Sequence, residues 1–327
     1  MRKRVRYHSI IDDSARWEGF VLREGDILIS TPPKCGTTWT QMICALLIFQ
    51  TPELPRPLDQ LSPWLDQLLR PLDSVVADLE AQEHRRFIKS HTPLDGLPFD
   101  PRVTYIVVGR DPRDIALSWD NHMANIDFGA MMALRQSAVG LDDLASLMPQ
   151  EPTEPAASER DRFWSWMDDP TPPAERLAGL AGTMHHLSTF FAVRDEPNVV
   201  FLHYGDLKDD LEGQMRKLAA RLSIGVPDER WPELVRAATF EEMKRRAKVT
   251  GPNQTESVWR DGQRFFHRAR HGEWRALLDA DDLRRYEARI AELADAELSA
   301  WVHRVSSCPE SGLPGVVRDG ARRSSDL

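Results

Sequence analysis

DILISTPPKCGTTW, residues 26–39, is the stretch on which the reading of the fold turns. Residues 26–30 form a short apolar run of the kind that fills a buried strand. Two prolines and a glycine then mark a tight loop. Residues 39–49 are apolar nearly all round, as expected of a helix packed against a sheet. The order strand, turn, helix places Lys34, Cys35, Gly36, Thr37 and Thr38 at a helix start. Backbone N–H groups there lack intrahelical partners, and with the helix dipole they favour an anion. Gly36 permits close backbone approach, Thr37 and Thr38 add hydroxyl donors, and Lys34 adds a full charge. A plain strand-to-helix turn with a cap would look similar.

Further along the chain, residues 86–89, 103–108 and 198–203 read as strands. Helices are predicted over 74–83, 112–123, 177–194, 207–222, 239–246 and 279–302, with Pro112 in a first turn and Thr239 as a cap. Residues 125–159 are poorly patterned and are read as a variable insertion or lid. Residues 249–272 are a long polar loop. Alternating strands and helices predict an α/β, P-loop-like three-layer fold, with a central, mostly parallel sheet flanked by helices on both faces. In such sheets ligands sit at the carboxyl ends of the strands. A single domain over 1–305 with a frayed tail over 306–327 is expected.

Hydrophobic residues make up 41% and charged residues 28% of the 327, ordinary for a soluble globular protein. The net charge of −9 argues against a nucleic-acid partner. An anionic ligand would need Lys and Arg gathered locally against that overall sign. Cys35, Cys44 and Cys308 are scattered, with no metal-ligand spacing and no disulfide framework. No metal is expected, and a reducing cytoplasm is the natural compartment. The longest apolar run, 42–49, is too short to span a bilayer, and no signal core follows the basic start. Peripheral membrane contact stays open. High Arg, Ala, Asp and Pro point to a bacterial, GC-rich source.

Thr31 to Trp39, TPPKCGTTW, resembles the 5′-phosphosulfate loop of cytosolic sulfotransferases, usually TYPKSGTTW. Pro32 and Cys35 depart from it. Cys35 is read either as a reactive thiol at a helix N-terminus or, in preference, as a small residue filling the serine site. In FIKSHTP, residues 87–93, Lys89 and His91 are two apart and share a face while the strand continues. The segment is similar to the family's K-[TS]-H-L-P element, with Thr92 for Leu. That resemblance implies His91 as general base and Lys89 as a stabiliser of transferring charge. An alcohol needs a base near neutral pH, and fixed cations lower the barrier as negative charge spreads. Lys34 would neutralise the departing 5′-phosphate.

The remaining motifs concern the donor's 3′-phosphate and adenine. Arg110 and Ser118 resemble the ends of R-[ND]-x-x-D-x-x-x-S, which implies a 3′-phosphate grip by a bidentate guanidinium. On its own Arg110 could equally pair with Asp111 or Asp114. FFHRARHGEWR, residues 265–275, is a basic patch that would ordinarily be a solvated loop. It resembles F-x-R-K-G-x-x-G-D-W-K, so that Phe265, His267, Arg268 and Ala269 fall on donor-binding positions. His267 stands where Arg is usual and Ala269 where Gly is, and Arg270 could substitute for the lost charge. Tyr204 in FLHYGDLK, with Thr239 and Phe240 in TFEEMK, matches elements near the adenine. Trp39 and Phe265 offer stacking faces, or simple core packing.

The resemblance, over residues 26–275, implies in-line sulfuryl transfer from 3′-phosphoadenosine 5′-phosphosulfate (PAPS) to an acceptor hydroxyl, with PAP as product and no metal. Bacterial relatives of this appearance include glycolipid sulfotransferases, so the acceptor is expected to be a small molecule or a glycolipid. The family's dimerisation signature is not evident in residues 275–284, which leaves a homodimer open. Three rivals remain. A P-loop kinase would need G-x-x-x-x-G-K-[ST] and acidic Mg²⁺ ligands, an order this loop lacks. A catalytically silent nucleotide-binding protein would be signalled by loss of the base, and His91 is present. A thiol-dependent enzyme would depend on Cys35.

Overall fold

A computed structural model describes residues 3–147, 158–252, 258–266 and 272–304. Four strands, β1 (Ile27–Ser30), β2 (Phe87–Ser90), β3 (Thr104–Gly109) and β4 (Val199–His203), form one sheet in the order β2-β1-β3-β4. Every pairing is parallel, with Ser30 opposite Ser90 and Gly109 opposite His203. The carboxyl ends of all four strands therefore lie along one edge. Every residue of β1 and β2 is buried, as expected when helices cover both faces of a parallel sheet.

Chain order explains where a crevice must form. β1 sits between β2 and β3, so the connections leaving the central pair diverge above the end of β1. The loop that fills this point, residues 31–36, leads directly into α1 (Thr37–Phe49). α1 buries ten of its residues and packs on β1 and β2. The register of that pair is locked from below. Asp26 and Arg86, immediately before β1 and β2, form a buried ion pair, with Nε donating to Oδ1 at 2.9 Å.

Helix ends differ from the sequence expectations where polar caps intervene. The helix expected over 207–222 is two helices, Tyr204–Asp209 and Leu211–Arg221, because the Asp210 carboxylate accepts the Gly213 amide and starts a new turn. The C-terminal helix is likewise interrupted, into Ala280–Leu293 and Ala296–His303, by the Asp295 cap. The helix expected over 177–194 spans Leu180–Phe191. The poorly patterned region after residue 125 holds a helix, Phe128–Val139, capped by Asp127. Leu69, Ile126, Met131 and Val258 form a small hydrophobic cluster beneath it, separate from the main core. The tail over 306–327 lies outside the described residues. No described helix is long and apolar enough to cross a membrane.

Candidate active site

A cavity of about 590 Å³ opens at the carboxyl edge of the sheet, within the usual size range of a small-molecule site. Its floor is the loop between β1 and α1. Lys34, at φ 68, and Gly36, at φ 102, both take left-handed backbone conformations. At Gly36 a side chain would also meet Tyr204, since an added Cβ would lie 3.0 Å from its ring. No side chain caps the N-terminus of α1, which leaves its first-turn amides to another partner. Thr31 and Thr37 exchange a hydroxyl hydrogen bond of 2.6 Å that ties the loop's two ends together.

Positive charge is concentrated around this floor. Lys34, Lys89 and Arg110 all line the cavity. Burial, with the nearby Arg110 and Lys89, pushes the Lys34 amine down to about 7. Arg110 is buried at the end of β3, where Nη1 donates to the Lys34 carbonyl at 2.9 Å. Its guanidinium lies 4.4 Å from the centre of the Tyr204 ring, and its Nε has no partner among the described residues. Asp111 pairs with Arg113 and Asp114 accepts the Gly272 amide. Arg110 thus brings a fixed positive charge to the cavity wall, a fit for an anionic group.

His91 follows the last residue of β2 and lines the same cavity. Its Nδ1 lies 2.7 Å from the Thr31 carbonyl, which can only accept. The proton is therefore on Nδ1, and Nε2 carries the lone pair. Burial first, then Lys89, hold the ring neutral and push it down to about 3. Trp64 supports both motif residues, with the Lys89 ammonium 3.7 Å over its ring and His91 edge-on at 4.8 Å. Beneath them the buried Asp66 Oδ2 accepts from Trp17 Nε1 at 2.9 Å, Ser90 Oγ at 2.6 Å and Thr92 Oγ1 at 2.6 Å. Ser90 and Thr92 flank His91, so one carboxylate clamps the backbone on either side of the imidazole. An uncapped helix start, three cations and a neutral imidazole base on one crevice suit transfer of an anionic group to a nucleophile.

The sulfotransferase domain family model matches residues 24–297. The chain belongs to that family. A glycolipid sulfotransferase of Mycobacterium bovis is 42% identical over 311 residues, covering 93% of this chain and 95% of the relative. A Mycobacterium tuberculosis protein of the same name matches equally. Among solved structures, retinol dehydratase in a complex with retinol and PAP superposes with TM-score 0.64 at 21% identity, covering 86% of this chain and 85% of that one. A mouse sulfotransferase complexed with PAP gives 0.60 at 19% identity, covering 88% and 91%. The α/β sulfotransferase fold is shared with both, and the enzyme class of this chain is sulfotransferase.

In this sulfotransferase, Gly36, Thr37, Thr38, Trp39, Ser118, Tyr204, Phe240 and Phe265 join Lys34, Lys89, His91 and Arg110 around the cavity. Two expected site residues do not reach its wall. Thr239 spends its hydroxyl capping the Phe240–Arg245 helix, accepting from Glu242 N at 3.3 Å and donating to the Arg236 carbonyl at 2.8 Å. Cys35 turns into the core, and burial raises its thiol to about 12, the reverse of activation. The thiol-enzyme reading is thereby corrected. His267, Arg268 and Ala269 lie outside the described residues. Sequence reasoning missed Trp64 and Asp66, which lie between α1 and β2 outside any helix or strand and carry no periodic signal. It also missed His122, whose place one helical turn beyond Ser118 was a usable clue.

Proposed function

We propose that this sulfotransferase moves the sulfuryl group of PAPS to a hydroxyl of an amphiphilic, sugar-headed acceptor, with His91 as general base. When bound, PAPS supplies the group to be transferred and a phosphate leaving group. The amides opening α1, Lys34 and the Thr37 and Thr38 hydroxyls hold the 5′ end. Arg110 and Ser118 hold the 3′-phosphate, and their place together on the cavity wall supports that assignment. Trp39, Tyr204 and Phe240 offer surfaces to the adenine. Lys89 stabilises charge on the transferring group. His91 Nε2 takes the acceptor proton as the new bond forms. The anionic donor offsets the charges of Lys34 and Lys89, two causes of the depressed imidazole, and so strengthens the base when it is needed.

The acceptor reading rests on the chemistry of the cavity wall and on the glycolipid sulfotransferases to which the chain is similar. The wall includes the polar Ser9, Asp12 and Gln67, and the apolar Leu69, Ile126, Met131 and Val258, which pack together as one cluster. Met123 and Phe128 stand exposed at the cavity's margin. A hydroxylated head against the polar residues and an aliphatic tail against the apolar cluster match this lining.

The observation that carries the mechanism is the Thr31 carbonyl on His91 Nδ1, because it leaves a lone pair on the nitrogen that must accept the proton. Turnover of labelled PAPS with a panel of glycolipids, free sugars and simple phenols tests the proposal. Glycolipids are expected to be preferred. His91→Ala is expected to cut turnover about 10²-fold or more while keeping PAP affinity. Full activity in that variant would remove His91 from the mechanism, and a phenol preference would remove the sugar-headed acceptor.

A further inference from the structure

His122 belongs to no motif used above, yet it touches the residue on which the donor assignment depends. It lies near the end of the Pro112–Asn125 helix, and its Nδ1 is 3.3 Å from Lys34 Nζ. The ring is boxed by aromatic neighbours, with Trp119 at 5.4 Å, Trp259 at 5.2 Å and Phe265 at 6.4 Å between centroids. Phe265 also lies 4.8 Å from the Lys34 ammonium, so amine, imidazole and loop form one packed unit.

We propose that His122 is a positioning residue that seats Lys34 for the departing phosphate and, through Nδ1, keeps its amine protonated. This rests on the reading that Lys34 serves the donor's 5′ end. The physical need is clear from the surroundings. Lys34 shares its cavity with Lys89 and His91 at the end of β2, Arg110 at the end of β3, and Arg264 on the 258–266 loop. Asp114 and Glu273 line the same cavity, and Cys35 adjoins Lys34 in the loop. Desolvation, Arg110 and Lys89 all drive the amine towards its neutral form. A neutral amine cannot offset charge on a leaving phosphate. An acceptor lone pair at hydrogen-bond range favours the ammonium, and a neutral imidazole can supply it without adding charge. His122 is held neutral by burial, with Lys34, Lys89 and His91 adding to the effect. Because Trp259 and Phe265 pack the ring, the 258–266 loop fixes where the amine sits.

The test is the pH dependence of kcat/KM for PAPS, which reports groups of the free enzyme. Wild type is expected to lose kcat/KM as pH rises and Lys34 deprotonates. His122→Phe keeps the ring's bulk but removes the acceptor. Its alkaline limb is expected to move to lower pH by about one unit or more, the size of a hydrogen bond to a charged group. His122→Gln, whose amide oxygen accepts, is expected to move the limb back. A purely structural role would lower activity at all pH values without moving the limb. Wild-type enzyme labelled with ¹⁵N-histidine gives a readout free of variants. His122, assigned by the resonance absent from His122→Gln, is expected as the neutral Nε2–H tautomer. An Nδ1–H tautomer, or superimposable limbs in wild type and His122→Phe, overturns the proposal. Lys34→Ala measured alongside separates the two ideas. If it turns over like wild type, the donor assignment of Lys34 fails; if it is impaired while His122→Phe is unshifted, only the role of His122 fails.

Discussion

Arg110 is a candidate for the 3′-phosphate through its place in the fold. It is buried, it spends one nitrogen on the loop carbonyl that positions Lys34, and it lines the cavity. A guanidinium fixed there presents charge and donors to an anion in the cavity. Arg110→Ala is expected to weaken PAP binding by roughly tenfold to a hundredfold, the scale of hydrogen bonds to a charged group. Adenosine 5′-phosphate, which lacks the 3′ group, should bind about as before. Equal losses for both nucleotides in calorimetry would remove Arg110 from the 3′-phosphate grip. The sequence brought Arg110 forward as a candidate but left open a pair with Asp111 or Asp114. Only the fold shows those carboxylates occupied elsewhere, by Arg113 and the Gly272 amide.

At the scale of elements, the strand–loop–helix unit over residues 27–49 was legible because each part has a local cause: an apolar run, a proline–glycine turn and an uncapped helix. What aligns β2 beside β1 was not legible. Asp26 and Arg86 are 60 residues apart and meet as a pair with 2% side-chain exposure each. Removing one partner strands a buried charge and costs about 3–5 kcal/mol. Arg86→Met is therefore expected to lower the urea unfolding free energy by about that amount. Asp26→Asn combined with Arg86→Met should recover part of it. A loss below about 1 kcal/mol, the value of an exposed pair, would show that this contact does not hold the register. The Asp66 clamp is of the same kind. Its three donors come from Trp17, Ser90 and Thr92, and no spacing rule links them.

The molecule as a whole carries buried histidines held neutral, and this gives its stability a pH dependence. His91 and His186 are both buried, and burial sets both below the ordinary value of 6.5. Below that value the unfolded chain takes up protons that the folded one refuses. Stability present above about pH 6.5 is thus lost as pH falls, by up to about 1.4 kcal/mol per unit for each such group. Asp12, whose carboxyl burial raises to about 8, contributes the opposite slope; urea midpoints of Asp12→Asn at pH 7.5 and pH 5 therefore check the histidine effect, and an equal or higher midpoint at pH 5 would contradict it. The α/β class and the gathering of the candidate residues at the carboxyl edge of the sheet were readable from the sequence, because local periodicity and short-range turn chemistry encode these. The tertiary structure alone decided which nitrogen of His91 is free, that Cys35 turns inward and Thr239 caps a helix, and that His122 reaches Lys34. Each of those is fixed by partners distant in the chain, and a hydrogen bond between distant residues leaves no periodic trace in the sequence.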